Sequence, residues 1–126
     1  MPRREPSAFV WDIRFAATRL TELVAQTEQA KYVNDQVLQA AAERWLITIG
    51  EAINQLAKTD PELAAEMGDV GQIVSFRNFL VHVYFKISPD KVWMILSNDV
   101  PALKAAADAT WSRFAHQYPE DPPSPP

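Results

Sequence analysis

The stretch from Asp35 to Lys58, DQVLQAAAERWLITIGEAINQLAK, decides the fold class. Leu38, Ala42, Trp45, Ile49, Ala52, Ile53 and Leu56 recur three and four residues apart, which draws one apolar stripe along an α-helix. Asn34 or Asp35 supplies the side-chain oxygen that caps its first turn. The chain around it is built the same way. Val10, Ile13, Ala17, Leu20 and Val24 predict a preceding helix, capped by Ser7 and running to about Glu28. Asp60-Pro61 opens a short helical piece that ends at Gly68 and Gly71. A further helix starts near Val70 to Gln72, with Ile73, Phe76, Leu80 and Val83 as its stripe, and stops before Ser88-Pro89. Ser88 caps a helix to about Asn98, and Asp99 with Pro101 begins the last one, carrying Leu103, Ala107, Trp111 and Phe114.

With three glycines, no Asn-Gly or Asp-Gly pair and almost no period-two alternation, strands have little sequence support. The expectation is an all-α, up-and-down antiparallel bundle of four to five helices, with residues 1–118 as a single domain. Residues 119–126, PEDPPSPP, cannot be helical and are expected to form a mobile or extended tail without a role in chemistry.

Composition limits the function. The chain of 126 residues is 48% hydrophobic and 22% charged, enough for one packed core. It has no cysteine, which excludes disulfides and thiolate metal sites, and only two histidines. Its apolar runs are far shorter than a membrane span and its start lacks the apolar stretch of a signal peptide, so a cytoplasmic protein is expected. A net charge of −4 excludes coating of nucleic acid by bulk electrostatics, so any such contact must be local. Charge is uneven. Asp60, Glu62, Glu66 and Asp69 form an acidic stretch, whereas Arg77, Lys86 and Lys91 follow against Asp90 alone.

One segment concentrates side chains suited to phosphate chemistry, from Arg77 to Phe85, RNFLVHVYF. Arginine presents a planar fork to phosphoryl oxygens, histidine titrates near neutrality, and tyrosine carries a hydroxyl. Taken alone, a histidine in such an apolar run is more often a packed residue than a catalytic one, and Tyr84 is more often core. Helical geometry adds a constraint. Five residues separate Arg77 from His82, about 140° of rotation, so one straight helix points them to different sides. They converge if the helix loosens near its end, if long side chains bend round it, or if two copies meet across a two-fold axis. Asn78, four residues before His82, is placed to orient it. Arg44, Thr48, Glu51 and Gln55 form a polar line on the preceding long helix. Glu51 is placed to fix Arg77, to tune His82, to pair with Arg44 or to face water. His116 lies outside these patterns, and no chemistry is expected of it.

The spacing of Arg77, His82 and Tyr84 resembles the signature of the HepT-like toxins, a branch of the HEPN superfamily of small helical ribonucleases. Arg77-Asn78, Tyr84-Phe85, Val92-Trp93, the run from Asn98 to Leu103, Arg44 and the run from Ile49 to Ala52 fall where that family has similar residues. The resemblance covers about Asp12 to Leu103. One departure is Asp69-Val70, which stands where the family commonly has a proline-tryptophan pair, and the acidic stretch before it would repel RNA on the cleft side.

The resemblance implies a toxin of a type VII-like toxin-antitoxin pair. It would be a homodimeric endoribonuclease that uses neither metal nor cofactor, with Arg77 and His82 catalytic in a shared cleft and Asn78, Glu51 and Arg44 supporting them. It further implies neutralisation by a nucleotidyltransferase antitoxin of the MNT type, which transfers AMP to Tyr84. The alternative is a non-catalytic helical module of the same fold that binds a protein or a nucleotide.

Overall fold

In a computed structural model, residues 5–83, 87–117 and 121–122 are described, and the fold is all-α among them. The helices are α1 (Pro6–Ala25), α2 (Gln29–Tyr32), α3 (Gln36–Thr59), α4 (Pro61–Ala65), α5 (Val70–His82), α6 (Pro89–Met94) and α7 (Val100–Trp111). Most starts are written in short polar side chains. Asp35 accepts hydrogen bonds from the N–H groups of Val37 and Leu38, Asp60 from Leu63 and Asp69 from Gln72, each satisfying donors that a first turn leaves open. At α1 the expected cap is displaced. Pro6 takes the first helical position, where its missing N–H costs nothing, and Ser7 is buried within the first turn. α1 also ends at Ala25, and the short α2 fills the connection to α3.

The core is the meeting of the predicted stripes. Val10, Ile13, Ala17 and Leu20 of α1 are fully buried, as are Ala42, Ile53 and Leu56 of α3 and Ala107 of α7. α3 also buries Leu46, which the sequence stripe omitted, and leaves Leu38 and Trp45 half-buried. Trp11 bridges α1 and α7 by packing on Trp111 at 5.1 Å between ring centroids, and Phe15 reaches Trp45 at 5.7 Å. α1, α3 and α7 therefore form the rigid centre. α5 is different. It packs against α3 and makes only sparse contact with any other helix.

The expected break between Asn98 and Asp99 is absent. α6 runs into α7 through a π-helical turn, Ile95–Asp99, in which the Val100 N–H donates to the Ile95 carbonyl five residues back. Pro101 explains the widening. It has no N–H to give and its ring crowds the carbonyl four residues earlier, so the backbone expands instead of ending.

Asp108 ties α7 to α1, accepting from Arg14 Nε at 2.8 Å and from Lys104 Nζ at 2.6 Å. Burial pushes its carboxyl upward, but the hydrogen bonds and charges of Lys104 and Arg14 prevail and hold it below the ordinary 3.8. Glu43 is the opposite case, since burial alone raises it above 4.5. A carboxyl depressed by folding stabilises the fold above its unfolded pKa and loses that contribution as pH falls through the folded one. A raised carboxyl costs stability while ionised, and that cost vanishes below the unfolded pKa. Glu43→Gln is therefore expected to raise the melting temperature slightly at pH 7, with the difference gone below about pH 4.5. Asp108→Asn should lower it at pH 7. Thermal melts across pH check both signs.

Candidate active site

Gly50 and Glu51 determine where Arg77 sits. A Cβ at position 50 would lie well inside van der Waals contact with Cβ and Cγ of Arg77, so the missing side chain of Gly50 is the space that the arginine stem occupies. α5 thereby approaches α3 closely, and the guanidinium arrives beside the next residue. Arg77 Nε donates to Glu51 Oε1 at 3.1 Å, and Nη2 donates to the same oxygen. Nη1 donates to Asn78 Oδ1. These three contacts engage three of the five guanidinium N–H groups, and Arg77 remains partly exposed. The side edge of the fork is anchored, and one N–H on each terminal nitrogen is left for an incoming oxyanion.

His82 is the last residue of α5, is exposed, and has no side-chain hydrogen bond or ion pair among the described residues. The helix stays regular to this point, since the Val83 N–H still donates to the Phe79 carbonyl at 2.9 Å. α5 thus does not loosen before His82. Nor does Arg77 bend toward His82, because Glu51 holds it toward α3. Asn78 faces the arginine as well: its Oδ1 is taken by Arg77 and not by His82. Of the four options open to Glu51, the pairing with Arg77 is the one formed. Arg44 is exposed a turn and more away, its Nη1 3.4 Å from Thr48 Oγ1, and it shares no hydrogen bond with Arg77. Tyr84 and the tail 119–126, apart from residues 121–122, lie outside the described residues.

Gly50, part of the Ile49–Ala52 run, has no role of its own in the sequence pattern. A glycine in the middle of a long helix costs about 1 kcal/mol of helix propensity, which is itself the signal that something must approach closely there. Among the described residues, no group of three or more His, Cys, Asp or Glu side chains is arranged to hold a metal ion, and no helix is long and apolar enough to cross a membrane.

The HepT-like family, described as ribonuclease HepT-like, matches residues 13–110, a span that contains α3, Glu51, Arg77 and His82. The chain belongs to the HepT-like ribonuclease family. Its relatives include the Methanocaldococcus jannaschii proteins named "Putative RNase MJ1380", 30% identical with 82% of this chain and 94% of the relative covered, and "Putative RNase MJ1216", 26% identical over 82% and 85%. No solved structure matches the chain. In this HepT-like chain Arg77 and His82 lie on one helix in different settings. Arg77 is held by Glu51 and partly sheltered, whereas His82 is exposed with no hydrogen-bond or ion-pair partner among the described residues.

Proposed function

We propose that this HepT-like protein is an endoribonuclease toxin whose active site is completed by a second copy of the chain. The observation that carries the reading is the placement of Arg77 and His82 on different sides of a helix that remains regular between them. Val74, Asn78, Val81 and His82 follow i, i+4, i+7 and i+8, giving α5 a flank on which Asn78, Val81 and His82 are exposed. A two-fold axis along that flank brings His82 of a second copy toward Arg77 and covers Val81, which is 38% exposed.

In the reaction, the His82 imidazole takes the proton from a ribose 2′-hydroxyl. The 2′-oxygen forms a bond to the adjacent phosphorus as the bond from phosphorus to the 5′-oxygen breaks, the leaving oxygen takes a proton from water, and the imidazolium gives its proton back to the hydroxide so formed. Products are a 2′,3′-cyclic phosphate and a 5′-hydroxyl. Arg77 stabilises the charge that builds on the non-bridging oxygens, with Glu51 and Asn78 orienting its fork. Neither step calls on a metal ion or a cofactor. Tyr84, two residues after His82, is proposed as the acceptor of AMP from a nucleotidyltransferase antitoxin. The added phosphate would bring negative charge within two residues of His82 along the chain and repel an RNA backbone.

The deciding experiment mixes two inactive variants, Arg77→Ala and His82→Ala. Co-expressed and purified together, they are expected to regain part of the wild-type cleavage, because each mixed dimer assembles one site with an intact Arg77 and an intact His82. The products should carry 2′,3′-cyclic phosphate and form at an unchanged rate in EDTA. No recovery on mixing, together with a monomeric mass in solution, would overturn the shared site. Full activity of both single variants would overturn the ribonuclease assignment to these residues.

A further inference from the structure

On the flank of α5 opposite to Asn78 and His82 there is a half-open cleft of about 610 Å³. Its floor is apolar: Leu46 and Ile49 of α3, Ile73 and Phe76 of α5, Ile95 of the π turn and Leu103 of α7. It exists because α5 leans mainly on α3 and leaves a gap toward α7. The rim is acidic, formed by Glu66, Asp69 and Asp99, with Gln72 and Asn98 between them, and no lysine or arginine among the described residues lines it. Arg113 neutralises Glu66 through two hydrogen bonds of 3.0 Å. Asp69 and Asp99 have no cationic partner among the described residues, and the Asp69 carboxylate accepts there only from the Gln72 N–H.

We propose that this cleft is a docking site for a segment of another protein that carries apolar side chains flanked by lysine or arginine. Charge selects the occupant. RNA is repelled by the rim, so the cleft is no extension of the substrate site. The chain's own tail carries Glu120 and Asp121 and no base, and a second copy brings a further net charge of −4. A basic amphipathic segment satisfies both the apolar floor and the two unpaired carboxylates, in the manner of a helix laid into a groove. The inference is independent of the ribonuclease reading. Because Ile73 and Phe76 are walls of the cleft and also part of α5, an occupant bears directly on the helix that carries Arg77.

The test uses the full chain and a fluorescein-labelled helical peptide of leucine and lysine, with a leucine and glutamate counterpart as control. The basic peptide is expected to bind in the micromolar range by fluorescence anisotropy. Its binding should weaken by about ten-fold or more in the Asp69→Asn, Asp99→Asn double variant, in which asparagine still caps α5. It should be unchanged when equal charge is removed elsewhere by Glu28→Gln with Asp35→Asn. In methyl spectra of the labelled protein, the shifts should be confined to Ile49, Ile73, Ile95, Leu46 and Leu103. The proposal is overturned if neither peptide binds, if both bind alike, if the two double variants behave alike, or if the shifts lie elsewhere. It also falls if Leu103→Glu lowers the mass of the free protein in sedimentation, which would assign the cleft to a second copy.

Discussion

The His82→Ala protein is expected to lose RNA cleavage by about 10²–10⁴-fold while melting at the wild-type temperature. Both halves of this expectation follow from where the side chain is. His82 is exposed at the last position of α5 and engages no described residue, so removing the imidazole leaves no cavity and no unpaired buried group. The loss in rate is that of the group proposed to remove the 2′-hydroxyl proton. Cleavage of a labelled single-stranded RNA, read beside a thermal melt of the same sample, checks both. Arg77→Ala is not so clean a probe. It also frees Glu51 and removes Cγ and the rest of the stem beside Gly50, so its fall in rate mixes lost phosphate stabilisation with altered packing of α5 on α3.

Gly50→Ala is expected to damage both stability and cleavage, against the direction that helix propensity alone gives. Alanine in mid-helix gains about 1 kcal/mol over glycine. Here the new methyl group would overlap Cβ and Cγ of Arg77, atoms bound tightly to the α5 backbone and unable to swing aside. α5 must retreat from α3. Overpacking of this kind costs about 1–3 kcal/mol, so the net result is a lower melting temperature. Cleavage should fall by about ten-fold or more, because the hydrogen bonds of Arg77 to Glu51 depend on that close approach. A calorimetric melt and the same RNA assay measure the two effects. A more stable protein with undiminished cleavage would show that α5 does not need its seat on Gly50.

The fold was legible where one periodicity governed a long segment. The stripe from Leu38 to Leu56 placed α3, and Val10, Ile13, Ala17 and Leu20 placed the buried face of α1. Asp60-Pro61 and Ser88-Pro89 marked helix starts because their chemistry is local. The π turn was not legible, since Pro101 near Asp99 carries the same local signal whether a helix starts there or a wider turn absorbs the proline. At the site, family resemblance and spacing singled out Arg77, His82 and Glu51. Which of its neighbours Glu51 would choose depends on the distance between α3 and α5, and that distance is set by Gly50, a contact between residues far apart in sequence. Asn78 was assigned to His82 by helix spacing, yet it turned to the stronger attraction of the adjacent guanidinium.

The π turn at Ile95–Asp99 makes the chain intolerant of a length change at that point. α6 and α7 are two halves of one rod that answer to different neighbours. Upstream of the turn, Trp93 stacks near Tyr32 at 5.4 Å, and downstream, Trp111 packs on Trp11. Deleting a single residue between them would rotate one set by about 100° relative to the other, so that either Tyr32 or Trp11 would lose its aromatic partner. An insertion in the surface connection between α2 and α3 carries no such penalty. The five residues of the turn therefore act as a fixed gauge, and family members that differ in loop length elsewhere would be expected to keep the count here.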